Sequence, residues 1–171
     1  PPAPRSYRSN ARTRLCAAAG VVALTTIALA VPASANPGTL LNPTPHSSGG
    51  QNGRAYDVTV VGGTAFVVGD FSSASGSTRN NVAAYSMADG SLQGFTANTN
   101  GIVYAVVANG GFLYLGGDFT TVNGTKATRV AKVNASTGAV QSFAASANNT
   151  VRGLAVANGQ LYMAGFFKTV D

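Results

Sequence analysis

Short apolar segments alternate with turn-forming residues along the second two-thirds of the chain. In one stretch these segments are IVYAVVA (102–108), FLYLGGDF (112–119), RVAKVN (129–134) and AVQSFAA (139–145). Each has the length of a β-strand and is rich in β-branched or aromatic residues. Pairs such as Asn109-Gly110 and Asn158-Gly159 lie in the connections, where tight hairpins need positive φ angles. The pattern predicts an antiparallel meander of four strands.

The pattern recurs every 48 residues without gaps. Shifting the sequence by 48 aligns asparagine, glycine and aromatic positions, namely Asn52, Asn100 and Asn148; Gly69, Gly117 and Gly165; and Phe71, Phe119 and Phe167. The repeat divides the chain into units at 52–99, 100–147 and 148–171, of which the last is truncated. The chain therefore contains about two and a half structural repeats.

The first segment of each unit indicates the fold class. IVYAVVA is apolar at every position rather than at every second one, so both faces of this strand are expected to be covered. Radially stacked sheets provide such cover, because each blade of a propeller packs on the blades before and after it. A β-helix has much shorter coils, and sandwich domains need more residues per unit. We therefore predict an all-β fold, an incomplete β-propeller of four-stranded antiparallel blades.

Two repeated positions carry predictions about packing. Gly117 and its equivalents end the second strand, where a bend or a close neighbour is expected to leave no space for a Cβ atom. The aromatic residue two positions later, Phe119 in the second unit, is expected to fill the space between blades. Both predictions apply to all three units.

The residues that precede the repeats have a different character. Residues 1–14 are basic, residues 15–31 are apolar, and small residues at Ala33 and Ala35 form an A-x-A cleavage site. We interpret residues 1–35 as a secretory signal peptide that is cut after Ala35. A membrane anchor is the alternative, because the apolar run reaches the lower length limit for spanning a bilayer. Residues 36–51 are rich in Pro, Gly and Ser, as is typical of a linker.

The charge distribution agrees with this division. The net charge is +6, but four of the basic residues lie in the predicted signal peptide, at Arg5, Arg8, Arg12 and Arg14. The other basic residues form no stripe, which argues against nucleic-acid binding. The single cysteine, Cys16, also lies in the predicted signal, so we expect a mature chain without disulfides. These features predict a secreted or cell-surface protein with no membrane attachment after signal cleavage.

The sequence motif of the units is FVVGDFSSASGSTRNNVAAYSMADG at 66–90 and YLGGDFTTVNGTKATRVAKVNASTG at 114–138. It resembles the bacterial delta-60 β-propeller repeats, and the resemblance covers residues 52–171. The units are also similar to kelch repeats through Gly116-Gly117, although the spacing differs and Trp is absent. The third unit departs from the pattern at Ala164 and Phe166. The resemblance implies a secreted or surface-displayed bacterial protein, with no assigned chemistry.

A small number of side chains are candidates for a functional site. Asp70 and Asp118 follow the second strand, and each is expected to accept backbone hydrogen bonds in its own turn, with a Ca²⁺ site as the alternative. His46 lies in the linker without a second His or a mature Cys to complete a metal site. One position of the first strand varies amid repeated neighbours, and its residues are our candidates for ligand binding: Tyr56, Tyr104 and Arg152.

The residues of the repeats favour a structural or binding role over catalysis. They offer no Ser/His/Asp set and no paired Glu, so we expect no enzyme activity, no metal site and no cofactor in this segment. We expect a secreted or cell-surface β-propeller module whose partners are a glycan or a surface protein and the remaining blades of its own chain. The alternative is the scaffold part of a secreted carbohydrate-active or oxidative enzyme whose active site lies outside this segment.

Overall fold

The computed structural model describes residues 51–171, in which every regular element is a β-strand. The predicted signal peptide at 1–35 and nearly all of the predicted linker at 36–51 lie outside the described residues. The strands are β1 Arg54–Val61, β2 Thr64–Asp70, β3 Ser73–Ala74, β4 Ser77–Thr78, β5 Val82–Ser86, β6 Val103–Asn109, β7 Phe112–Gly117, β8 Thr121–Val122, β9 Thr125–Lys126, β10 Val130–Asn134, β11 Val140–Gln141, β12 Val151–Ala157 and β13 Gln160–Gly165. The predicted all-β class is confirmed.

The strands form three antiparallel sheets that follow the three sequence units. The first sheet has the order β1-β2-β5, the second β11-β10-β7-β6 and the third β12-β13. Apart from the two small hairpins described next, neighbours in each sheet are successive strands of the chain, which is the meander that the turn pattern predicts. Two small hairpins, β3-β4 and β8-β9, lie outside these sheets. In the part of the chain that the structure describes, no helix has the length and hydropathy that crossing a bilayer requires.

The fourth strand is much shorter than predicted. The sequence predicts a strand over 139–145, but only Val140–Gln141 pairs with β10, and the first unit has a single bridge between Tyr85 and Leu92 at this place. In both units the chain leaves the ladder before an aromatic side chain that packs on the second strand. Phe95 lies 5.1 Å from Phe66, and Phe143 lies 5.5 Å from Tyr114, measured between ring centroids. Within the described residues, a four-stranded sheet is thus formed only in the second unit.

Tight turns with positive φ angles close the hairpins. Asn158-Gly159, at φ angles of 51° and 74°, connects β12 to β13 as the sequence predicts. In the second unit the turn lies one residue later than predicted, at Gly110-Gly111. The small hairpins were not predicted, although Asn123-Gly124 carries the same turn signal and connects β8 to β9 with φ angles of 48° and 78°.

Successive sheets pack against one another through their first strands. β6 contacts β1 on one side and β12 on the other. The main core cluster contains residues of the first and second units, among them Val68, Val106 and Leu115. Beside Gly116 of β7, the space that a side chain would need is filled by Val151 and Leu154 of the third unit. Each unit therefore covers the sheet before it.

The outer faces of the first and third sheets have no such cover among the described residues. Val58 is 52% exposed, whereas Val106, which occupies the same position one unit later, is 5% exposed. Val60 and Tyr162 are also about half exposed, at 51% each. Val58 and Val106 are the same residue type at the same repeat position. The difference in their burial therefore comes from the absence or presence of a neighbouring sheet.

The repeated asparagine that opens each unit ties the ends of the first two strands together. The Oδ1 atoms of Asn52, Asn100 and Asn148 each accept hydrogen bonds from two consecutive backbone N–H groups, 20 and 21 residues later, at 2.8–3.2 Å. These N–H groups belong to the loop after the second strand. The 48-residue recurrence of asparagine therefore has a backbone-capping function.

The packing predictions for the repeated glycine and aromatic positions have different outcomes. A Cβ atom on Gly69, Gly117 or Gly165 would collide with backbone atoms of the first strand or the residue before it, so the prediction of a close neighbour is confirmed. Phe119 lies in the core cluster to which the first two units contribute, whereas Phe71 lies in a smaller cluster within the first unit. Phe167 is half-buried.

We predict that Gly117→Ala destabilises the protein by about 1–3 kcal/mol, because the new Cβ must displace the backbone of Ile102 and Val103. The matched control is Gly94→Ala, since no atom lies within 4 Å of a Cβ built there and its φ is not positive. That change is expected to leave stability unchanged or to raise it by up to about 1 kcal/mol. Urea unfolding measures both, and equal midpoints for the two variants would contradict the close approach.

Candidate binding site

The three candidate ligand-binding residues occupy one structural position. Tyr56, Tyr104 and Arg152 are each the extra residue of a β-bulge in the first strand of their unit, where the register shifts between the residues on either side. An extra residue at a bulge makes no ladder pair, and the bulge redirects its side chain. The varying position of the repeat is therefore also the irregular position of the strand.

The structure brings these three side chains together in a row. The ring centroids of Tyr56 and Tyr104 are 5.2 Å apart, and the planes are inclined by 44°. The Arg152 guanidinium carbon lies over the Tyr104 ring, 4.0 Å from its centroid, and 5.2 Å from the centroid of Phe166. Tyr56 and Arg152 are exposed and Tyr104 is half-buried. We call the side chains of Tyr56, Tyr104, Arg152 and Phe166 the bulge row.

Asp57, which the sequence analysis did not single out, holds the first two bulges together. Its Oδ1 accepts a hydrogen bond from the backbone N–H of Val58, and its Oδ2 accepts one from the N–H of Val106 at 2.9 Å. The second bond crosses from β1 to β6, next to Tyr56 and Tyr104. The positions equivalent to Asp57 in the later units are Ala105 and Gly153, so the repeat pattern itself gave no signal of this role.

A different set of polar groups connects the second and third units. The Asp118 carboxylate forms an ion pair with Arg129 and accepts a hydrogen bond from the Thr150 hydroxyl at 3.4 Å. The predicted role of Asp118, capping N–H groups of its own turn, is therefore wrong. The Asp70 carboxylate accepts no hydrogen bond within residues 51–171. The turn backbone needs neither carboxylate, because Asn52 and Asn100 already cap it.

Asn81 makes the corresponding connection between the first and second units. It is buried, has a φ of 67°, and donates from Nδ2 to Thr99 and to the carbonyl of Gly101. Arg129 occupies the same position one unit later, with a φ of 66°. In both units, the residue before the third strand therefore has a left-handed backbone conformation. Its side chain is an amide in the first unit and a guanidinium in the second.

The described residues form no cluster of metal-ligating side chains. Within residues 51–171, no group of three His, Cys, Asp or Glu side chains is close enough to hold a metal ion. His46 lies outside the described residues. What the bulge row offers is aromatic surface, a guanidinium group and the phenolic hydroxyls of Tyr56 and Tyr104, which make no hydrogen bond to any described residue. Such groups bind ligands by stacking and hydrogen bonding.

Comparisons with known protein families, curated proteins and solved structures found no match to this chain. The site is therefore interpreted from its own geometry.

We predict that Asp57→Ala accelerates hydrogen exchange at the Val106 amide and lowers stability by about 1–3 kcal/mol, because that partly buried N–H loses its acceptor. Asp70→Ala is the matched control, since its carboxylate accepts no hydrogen bond in the described part of the chain. Native-state exchange followed by NMR measures both variants. An unchanged exchange rate at Val106 in Asp57→Ala would show that this carboxylate does not connect β1 to β6.

Proposed function

We propose that residues 52–171 are blades of a β-propeller in a secreted or cell-surface protein, and that this module binds a ligand through the bulge row. The observation that carries the proposal is the alignment of Tyr56, Tyr104 and Arg152, one from each unit, along adjacent first strands. The proposed ligand is a glycan or a surface protein. The segment is proposed to bind and not to catalyse.

The packing of the sheets supports a propeller. The first strands β1, β6 and β12 are neighbours in sequence order, and each sheet lays one face on the next. In a propeller, the first strand of each blade lies nearest the central axis. The exposed Val58 and Val60 on one side and Tyr162 on the other are at positions where a further blade would pack. The resemblance to delta-60 repeats favours the same arrangement.

The composition of the bulge row supports a binding role. The bulge position of the first strand is tyrosine in two units and arginine in the third. The glycine, asparagine and aromatic positions around it repeat. Tyrosine and arginine are enriched in binding hot spots because they combine apolar surface with hydrogen-bonding groups. A row that includes exposed side chains and one residue from each blade provides several contacts to an extended ligand. This argues for an oligosaccharide or an extended protein segment rather than a small isolated molecule.

The proposed location depends on the amino-terminal sequence. A basic stretch, an apolar run and an A-x-A site in residues 1–35 are typical of a secretory signal. The absence of cysteine after Cys16 is compatible with export, since the packing of the sheets needs no disulfide.

We predict that Tyr56→Ala and Arg152→Ala each weaken ligand binding about tenfold or more, because each removes a large contact of the row. The assay is a screen of the full chain against glycans and surface-protein extracts, followed by measurement of Kd for the ligands found. Tyr162→Ala is the matched control, because Tyr162 is exposed on β13 and lies outside the row. Melting temperatures of all variants must agree for the comparison to hold. Equal binding by all variants would overturn the role of the row.

We also predict that a chain of residues 54–171 self-associates, because its two outer sheet faces expose apolar side chains. Val58→Lys with Val60→Lys should shift the sedimentation profile toward monomer, since two charges oppose burial of that face. Ala88→Lys, at an exposed position away from the first strand, is the control for charge alone. A monomer that melts cooperatively before any substitution would argue against the proposal that further blades cover these faces.

A further inference from the structure

We propose that the Arg152 guanidinium binds the carboxylate of an acidic oligosaccharide, one that contains hexuronic acid or another carboxylated sugar. The inference rests on the proposed function, because it takes the bulge row as the binding surface and names the chemical class of its ligand.

Two departures from the repeat lie against each other at this place. The third unit has Arg152 where the others have tyrosine, and Phe166 where they have Asp70 and Asp118. The structure places the guanidinium carbon 5.2 Å from the Phe166 ring centroid. The second replacement removes a carboxylate from the neighbourhood of the arginine and supplies an aromatic ring instead. As a result, the Arg152 guanidinium lies against two aromatic rings and has no anionic partner among the described residues.

Of the other three arginines in the described segment, two have protein partners, and Arg54 forms no ion pair but lies outside the bulge row. Arg129 pairs with Asp118, and Arg79 donates to the carbonyls of Thr78 at 2.9 Å and Gln93 at 3.1 Å. Within residues 51–171, Arg152 donates no hydrogen bond and forms no ion pair. The two acids at the unit junctions do not compete for it, since Asp57 accepts two backbone N–H groups and Asp118 is paired with Arg129. The N–H groups of Arg152 are therefore available to a ligand.

The geometry of this arginine suits a carboxylate. A guanidinium presents its donors in a planar fork that matches the two oxygens of a carboxylate. The Tyr104 ring, 4.0 Å from the guanidinium carbon, restricts the side chain and so reduces the entropy that binding must remove. The phenolic hydroxyls of Tyr56 and Tyr104 lie along the same row and offer hydrogen bonds to sugar hydroxyls. A chain of sugars with a carboxylate at one position matches this combination better than a free anion does.

The test is calorimetric titration of the full chain with three probes at 0.15 M salt, about physiological ionic strength. The probes are an oligogalacturonate, its neutral methyl ester and an oligoglutamate peptide. We expect the oligogalacturonate to bind at least about tenfold more tightly than the ester, which corresponds to about 1.4 kcal/mol. Arg152→Gln should abolish this difference. Arg152→Lys should reduce it, because an ammonium group cannot form the bidentate contact.

Lys126→Gln is the matched control for the loss of one positive charge, because Lys126 is exposed on β9. It should retain the preference for the acidic probe, and equal loss in this variant would overturn a specific role for Arg152. Circular dichroism confirms that each variant is folded.

The remaining outcomes separate this inference from the proposed function. Equal affinity for the acid and its ester, with loss of both in Tyr56→Ala, overturns carboxylate recognition and leaves the bulge row as a binding surface. Preference for the peptide overturns the saccharide as ligand, and failure of all three probes to bind overturns the inference. Binding of any probe that is unaffected by both Tyr56→Ala and Arg152→Gln overturns the proposed function itself.

Discussion

Face-to-face packing of successive sheets is the interaction on which the rest of the structure depends. A two-stranded sheet such as β12-β13 is marginally stable alone. Val106 is buried because the first unit lies against it, whereas Val58 at the same position is half exposed. Burial of such a side chain contributes about 1.5–3 kcal/mol. Within each unit, the glycine at the end of the second strand lets that strand approach the backbone of the first strand closely.

The candidate site follows from that packing. Because the units repeat without gaps, a bulge at one position of the first strand recurs at the same height in each sheet. Stacking the sheets then places Tyr56, Tyr104 and Arg152 side by side. Residues 48 positions apart in the chain become neighbours at 4.0–5.2 Å through repetition alone. Asp57 adds a specific link at the first junction, and the hydrogen bond from the Thr150 hydroxyl to Asp118 adds one at the second.

Sequence reasoning predicted the long strands and several repeated positions, but it missed the small hairpins and the contacts that occur once. The strands, the turn at Asn158-Gly159 and the crowding at Gly117 follow from local patterns. Variation at one position among constant neighbours indicated the bulge residues, although only the structure shows the bulges. The role of Asp57 depends on an N–H in the next sheet, which no local pattern reveals. The predicted fourth strand failed because burial of Phe95 and Phe143 on the second strand competes with continued ladder pairing.

The capping asparagines have a consequence for how such a chain can change. Each caps backbone N–H groups in the loop of its own unit and makes no hydrogen bond to the bulge residue, so the side chain at the bulge can differ without loss of those bonds. Tyrosine in two units and arginine in the third already occupy the same bulge position of the backbone. Duplication of a unit would lengthen the bulge row by one side chain, and a point substitution would alter its chemistry. The backbone framework and the side chains of the bulge row can therefore change independently in this protein.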